Sequence, residues 1–241
     1  MRTPDISVLM ATHDRPALLG LAIGHFLRQR EVRAELIVVD DSEVPCDVPD
    51  HPSIRLLRVE RGTPLGAKLN VAAERAEGRL FAKWDDDDYY GPGYLAKISA
   101  FLRHSRAKVV FAQPFLFYDL ITDTLRVSDK QRCSGATLTM SSLTWASTRF
   151  QSVPEAVDAT FLLDIVAAAG PDACAGLNLG AEFIQVRHDG HLWQHMPDGR
   201  PVRDYLAECA LSDLRLGEIV DRRTLSGWAG HRKQVMAGEK T

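Results

Sequence analysis

The stretch "ISVLMATHDRPALLGLAIGHFLRQREVRAELIVVDDS", residues 6–42, decides the fold. It opens with a short apolar run at 6–11 that reads as a buried strand. Asp14 is placed to cap a helix and Pro16 suits a first helical turn. Leu18, Leu19, Ala22, Ile23, Phe26 and Leu27 then recur at helical spacing. "ELIVVDDS" is a second apolar run, ending on Asp40 and Asp41. Two buried strands joined by an amphipathic helix form a βαβ unit with a right-handed crossover. Such a unit calls for a mostly parallel sheet with helices on its faces.

The same alternation continues outward. "SIRLLRV" (53–59) reads as a third strand, and "GTPLGAKLNVAAERAEG" (62–78) as a turn and a helix stopped by Gly78. "RLFAKW" (79–84) is a fourth strand, closed by four aspartates, Asp85–Asp88. His13, Asp14, Asp40, Asp41, Arg61 and the Asp run all fall just past strand ends. In open parallel sheets that rim is where ligands bind. Adjacent carboxylates repel one another, and each desolvated one is costly unless a cation or hydrogen bonds compensate it. A solvated acidic loop or a helix cap is the plain reading of such a run. Delivery of polar groups to one rim by four separate loops favours a binding site.

The second half is less regular. "KVVFAQPFLFYDL" (108–120) reads as two short strands and "GATLTM" (135–140) as another. Residues 158–170 form an amphipathic helix ended by Gly170, and "AEFIQVRHDGHLWQH" (181–195) a strand running into a loop rich in His and Trp. The tail, 202–235, reads as helical with breaks at Gly217 and Gly227. No linker-like stretch divides the chain, so one domain over 1–241 is expected.

Bulk properties narrow the class. With 45% hydrophobic and 25% charged residues the 241-residue chain is an ordinary globular sequence. A net charge of −3 argues against nucleic acid as a partner. No run of about 18 apolar residues indicates a membrane span, and the N-terminus carries no signal-peptide pattern. The four cysteines are widely spaced, without a CxxC pair. Free thiols in the cytoplasm are expected, rather than disulfides or zinc.

Four segments together resemble the family 2 glycosyltransferases of the GT-A fold. "ISVLMATHDRPALLGLAI" is similar to that family's opening strand, turn and helix, and "ELIVVDDSE" to its second strand with a double Asp. "GTPLGAKLNVAAERAEGRLFAKWDDDDYYGPGYL" resembles the approach to the DxD motif, and "RFQSVPEAVDATFLLDI" the segment holding the catalytic Asp. The resemblance spans roughly 5–195. It implies an α/β, GT-A (Rossmann-like) fold with a mostly parallel central sheet flanked by helices and an irregular C-terminal acceptor half. Residues 1–92 would bind the nucleotide sugar, 93–200 the acceptor, and 201–241 would form a helical tail.

The implied activity is a metal-dependent, inverting transfer of a sugar from a nucleotide-sugar donor, UDP-linked by preference, to a hydroxyl acceptor. A hard cation, Mn²⁺ or Mg²⁺, suits carboxylate and diphosphate oxygens. The resemblance puts Asp87 as the direct metal ligand, with Asp85 and His188 as further ligands, and Asp85 or Asp86 facing the ribose. Asp88 would cap the following turn. Asp41 would bind the base, His13 would stack on it, Ala11 would line the nucleotide site, and Lys68 would approach the diphosphate. Asp158 matches the general base and Glu155 is its reserve; the family's usual Glu-Asp is here Val157-Asp158. Gly135, His191 and Trp193 are acceptor-side candidates. Two rivals stand beside this reading. A sugar-phosphate nucleotidyltransferase would need a Gly-rich loop where this chain has "ATHDRPALLG"; a non-catalytic nucleotide-sugar-binding protein would fit the missing Glu.

Overall fold

In a computed structural model of the chain, residues 3–129, 132–188 and 199–237 are described. The elements run β1 (Ile6–Thr12), α1 (Pro16–Leu27), β2 (Ala34–Asp40), β3 (Ile54–Arg58), α2 (Leu65–Glu74), β4 (Leu80–Asp85), β5 (Tyr89–Tyr90) and α3 (Tyr94–His104). They continue with β6 (Val109–Ala112), β7 (Leu116–Asp119), β8 (Thr124–Val127), β9 (Thr139–Ser141), α4 (Ser142–Thr148), α5 (Val157–Ala169), β10 (Cys174–Leu177) and β11 (Phe183–Arg187). Three helices close the chain, α6 (Val202–Glu208), α7 (Leu216–Ile219) and α8 (Arg222–Met236).

Seven strands form the central sheet in the order β10-β6-β9-β4-β1-β2-β3. All neighbours are parallel except β9, which pairs antiparallel with β4 and β6. Alternation along the strands sorts the core into two layers. Val8, Met10, Leu36 and Val38 face α1 and α3. Leu9, Ile37 and Val39 face Leu69 and Ala72 of α2 and Phe161 of α5. A second sheet, β5-β11-β7-β8, packs its Tyr89, Tyr118 and Ile184 against Trp228 of α8. No helix among the described residues is long and apolar enough to cross a membrane.

Several local expectations need correction. Asp14 does not cap α1: it sits at φ 51° and its Oδ1 accepts from Glu43 N, while Arg15 occupies the cap position and its side chain makes no capping bond to the helix. The α2 helix ends at Glu74, before Gly78. Gly78 instead crosses close to β1, where a Cβ would lie 2.7 Å from Ser7 N. "GATLTM" is split, because Gly135–Thr137 is a 3₁₀ turn and only Thr139–Ser141 joins the sheet. Gly217 and Gly227 lie inside α7 and α8. At Gly227 a Cβ would lie 2.8 Å from Leu21, so the missing side chain serves helix–helix packing.

Asp40 organises the turn after β2. Its Oδ1 accepts from Ser42 N at 2.8 Å, and its Oδ2 from Cys46 N at 2.9 Å and from Arg58. Burial opposes ionisation there, yet these donors outweigh it and hold the carboxyl down to about 2. A carboxyl depressed in the folded state adds stability that is present above its unfolded pKa and lost as pH falls through the folded one. Asp40→Asn is therefore expected to cost about 2 kcal/mol in urea unfolding at pH 7. The gap to the wild type should narrow as pH falls from about 4 towards 2.

Candidate active site

The rim at the C-terminal ends of β1, β2 and β4 carries the site. Register places Ala11 of β1 beside Val39 of β2 and Asp85 of β4, so Ala11 lies between the two acidic loops. On one side, Asp41 Oδ1 accepts from Lys68 Nζ at 2.7 Å and lies 3.0 Å from His13 Nδ1, and its Oδ2 accepts from Gly62 N at 2.9 Å. Burial works against the Asp41 carboxylate, but Lys68 outweighs it and holds the group below the usual range. Lys68 is committed to Asp41 and to Thr12 O at 3.2 Å. It braces the Asp41 side of the rim instead of reaching the Asp run. His13 stays half exposed.

The Asp run turns at the junction of the two sheets, between β4 and β5, and its four carboxylates take four different settings. Asp85 accepts from Lys83 Nζ at 2.7 Å through Oδ1. Its backbone N–H donates to Tyr90 Oη at 2.8 Å, and Tyr90 donates onward to Ala136 O at 3.0 Å. Asp86 points back to β1, accepting from Thr12 Oγ1 at 2.6 Å and from Arg15 at 3.3 Å. Burial and then the charge of Asp87 push Asp86 up to about 6. Asp87 Oδ2 meets Arg15 at 3.0 Å and His188 Nε2 at 3.1 Å. Asp88 accepts from Val186 N of β11 at 2.8 Å through Oδ1, while its buried Oδ2 has no hydrogen-bond partner among the described residues. Burial, then Asp87 and Asp85, drive the Asp88 carboxyl well above its usual range.

One atom each from Asp85, Asp87 and Asp88 lies within 4.8 Å of the others. Among the described residues no other such group of three closes. Asp88 is thus a member of this cluster and not the turn cap that the sequence suggested. His188 touches Asp87 from outside it, and Asp86 faces away from it. A buried carboxylate oxygen without a partner, among acidic neighbours that raise its proton affinity, fits a hard divalent cation.

Asp158 stands in the first turn of α5, after Ala156 at φ 58°. It makes no capping bond. Its Oδ2 accepts from Lys83 Nζ at 3.2 Å, and its Oδ1 lies equally close to the same ammonium, with no well-aligned hydrogen bond of its own among the described residues. Burial raises the carboxyl to about 6 against the pull of Lys83. Gly135 backs this carboxylate, since a Cβ there would lie 2.3 Å from Asp158 Oδ2. Glu155 is exposed and has no part in the cluster. His191 and Trp193 lie outside the described residues.

Sequence reasoning missed Lys83, Arg15, Thr12 and His231. Lys83 had a signal: a lysine inside an apolar strand must bury its charge against partners. His231 of α8 had none. It packs its ring edge-on to His188 at 5.0 Å from a helix almost 150 residues past the Asp run.

The model of glycosyl transferase family 2 matches residues 7–152. The chain belongs to that family. That membership sets aside the nucleotidyltransferase reading. It is 31% identical over 116 residues to an uncharacterized glycosyltransferase of Bacillus subtilis (strain 168), YwdF, across 44% of this chain and 42% of that one. S. aureus TarS 1–349, solved with UDP-GlcNAc, superposes with a TM-score of 0.59 at 17% identity, over 78% of this chain and 60% of that one. The mannosyltransferase PcManGT from Pyrobaculum calidifontis, solved with GDP-Man and Mn²⁺, gives 0.56 at 15%, over 78% and 57%. The chain thus spans less than two thirds of each of these relatives, and it shares the GT-A fold with the solved ones.

Gly135→Ala tests the backing of Asp158. The added methyl must push that carboxylate away. The expected result is a fall in donor turnover of about 10²-fold, the scale of a misplacement of about 1 Å, with nucleotide binding retained by calorimetry. Unchanged turnover would show that the carboxylate position is immaterial.

Proposed function

We propose that this enzyme moves a sugar, with inversion, from a nucleotide-sugar donor, uridine diphosphate favoured, to a hydroxyl acceptor, with Asp158 as general base. The observation that carries the reading is the Asp85–Asp87–Asp88 cluster with its unpartnered Asp88 oxygen, set beside Asp158 through Lys83. TarS and PcManGT bind a uridine and a guanosine nucleotide sugar respectively, in keeping with a donor of this class.

In this reading Asp41, braced by Lys68 and Gly62, accepts from an N–H of the base, and His13 lies against the ring. Asp85, Asp87 and Asp88 would hold Mn²⁺ or Mg²⁺, with His188 completing the Asp87 side; when bound, the cation offsets the charge of the diphosphate. Asp86, anchored to Thr12 and Arg15, faces the ribose side. Arg15 adds a positive charge at the same edge. Asp158 takes the proton from the acceptor hydroxyl as its oxygen bonds to the anomeric carbon and the bond to the phosphate oxygen breaks. Gly135 would line the acceptor side, for which the sequence also offers His191 and Trp193. The four cysteines are all free, which suits the cytoplasm as the working compartment.

Excess EDTA is expected to abolish nucleotide-sugar turnover, and Asp87→Ala to do the same with added Mn²⁺. Full turnover under EDTA overturns the metal reading. A thermal-shift panel of UDP and GDP with and without Mn²⁺ identifies the base, since a ligand of the native state raises stability as RT ln(1 + [L]/Kd).

Asp158→Asn is expected to lower kcat by about 10²–10⁴-fold with donor affinity and Tm nearly unchanged. The base works ionised and its carboxyl is raised to about 6, so wild-type kcat should fall as pH drops through about 6. The variant should lose that limb. Wild-type kcat in a folded Asp158→Asn variant rejects the assignment.

A further inference from the structure

The Lys83 ammonium is 1% exposed in the centre of the sheet, between two halves of the site. An ammonium has three donors, and here it meets three acceptor groups: Asp85 through Oδ1 at 2.7 Å, the Asp158 carboxylate with both oxygens at 3.2 Å, and Gly135 O at 3.2 Å. These come from three separate elements: the end of β4, the start of α5 and the 3₁₀ turn at Gly135. Burial alone would pull the ammonium down, but Asp158 and Asp85 outweigh it and keep Lys83 charged. A fully used, buried donor set leaves little freedom to whatever it holds. Lys83 contacts Asp85 through Oδ1, and Asp85 is also a member of the carboxylate cluster.

We propose that Lys83 is a positioning residue that ties the Asp158 carboxylate to the Asp85 carboxylate, so that the proton-accepting group is held in fixed register with the donor-binding cluster. The idea rests on the reading of Asp158 as general base. Lys83 touches neither sugar nor diphosphate; it acts through Asp158. Without it, two carboxylates at the floor of the cleft would repel each other. Asp158, whose two oxygens both lie 3.2 Å from Lys83 Nζ, would then lose that anchor and swing away from the point of attack.

The test is a double-mutant cycle between Lys83→Met and Asp158→Asn, read as UDP or GDP release from UDP-glucose, UDP-N-acetylglucosamine and GDP-mannose with Mn²⁺. Lys83→Met alone should lower kcat by about 10²-fold, as a misplaced group does, while donor KM and calorimetric Mn²⁺–UDP affinity move far less. On the Asp158→Asn background, Lys83→Met should cost nothing further. A crystal structure of Lys83→Met should show the Asp158 carboxylate displaced from Gly135.

A multiplicative loss in the double variant, a loss confined to KM and metal affinity, or an unmoved Asp158 overturns the proposal. If Lys83→Met does not fold, Lys83→Arg replaces it. That variant keeps the charge but substitutes a planar fork for the ammonium, and a wild-type kcat in it overturns the proposal equally. A slow Asp158→Asn with a fast Lys83→Met refutes the role of Lys83 and leaves the base intact. A fast Asp158→Asn removes the base and the proposal with it.

Discussion

Four consecutive carboxylates cannot share one environment below the surface of a protein, and the cleft is arranged around that constraint. Each aspartate of the run is turned to a different neighbour. Asp85 goes to Lys83 in its own strand, Asp86 to Thr12 and Arg15 beyond β1, Asp87 to Arg15 and His188, and Asp88 to the backbone of β11. The dispersal is possible because the run is where the chain leaves the central sheet for the second one. Asp85 ends β4, and Tyr89 begins β5, which pairs with β11. The compensation is incomplete by design of the cluster. Burial pushes Asp86 up to about 6 and Asp88 well above its usual range, with one Asp88 oxygen unpartnered among the described residues. Such a set is unfavourable alone and favourable around a cation.

The parallel half of the fold was legible because its signals are local. Apolar runs at 6–11, 35–39 and 79–84, with helical spacing between them, suffice for a βαβ reading. The rim position of Asp41, the Asp run and Asp158 followed from the strand ends and from the family motifs. Roles that depend on which way a side chain turns were not legible. Lys68 lies on the expected helix, yet it reaches Asp41, because only the register of α2 on β1 and β2 decides which carboxylate is near. Asp88 looked like a turn cap, because nothing local says that β11, about a hundred residues later, brings its backbone N–H to that carboxylate. The strand reading of "GATLTM" failed for a related reason. Three residues are enough to pair β9 between β4 and β6, and the preceding Gly135 is needed as a bare backbone against Asp158.

The family keeps an acidic pair where this chain has Val157-Asp158, and the packing shows what the valine does. Val157 is buried in the layer beneath α5 with Phe161 and Ile165, so the first turn of α5 is held from below by apolar contact. Ala156 at φ 58° sets the chain direction just before it. Asp158, one residue on, is thereby turned towards the cleft while its backbone stays fixed. A buried glutamate at 157 would need a partner of its own. Lys83 already has three acceptors and could supply none. Apolar packing at 157 and a saturated ammonium at 83 are consistent halves of one solution. The aspartate is held from beneath by valine and from the side by lysine, and no second carboxylate is required to keep it in place.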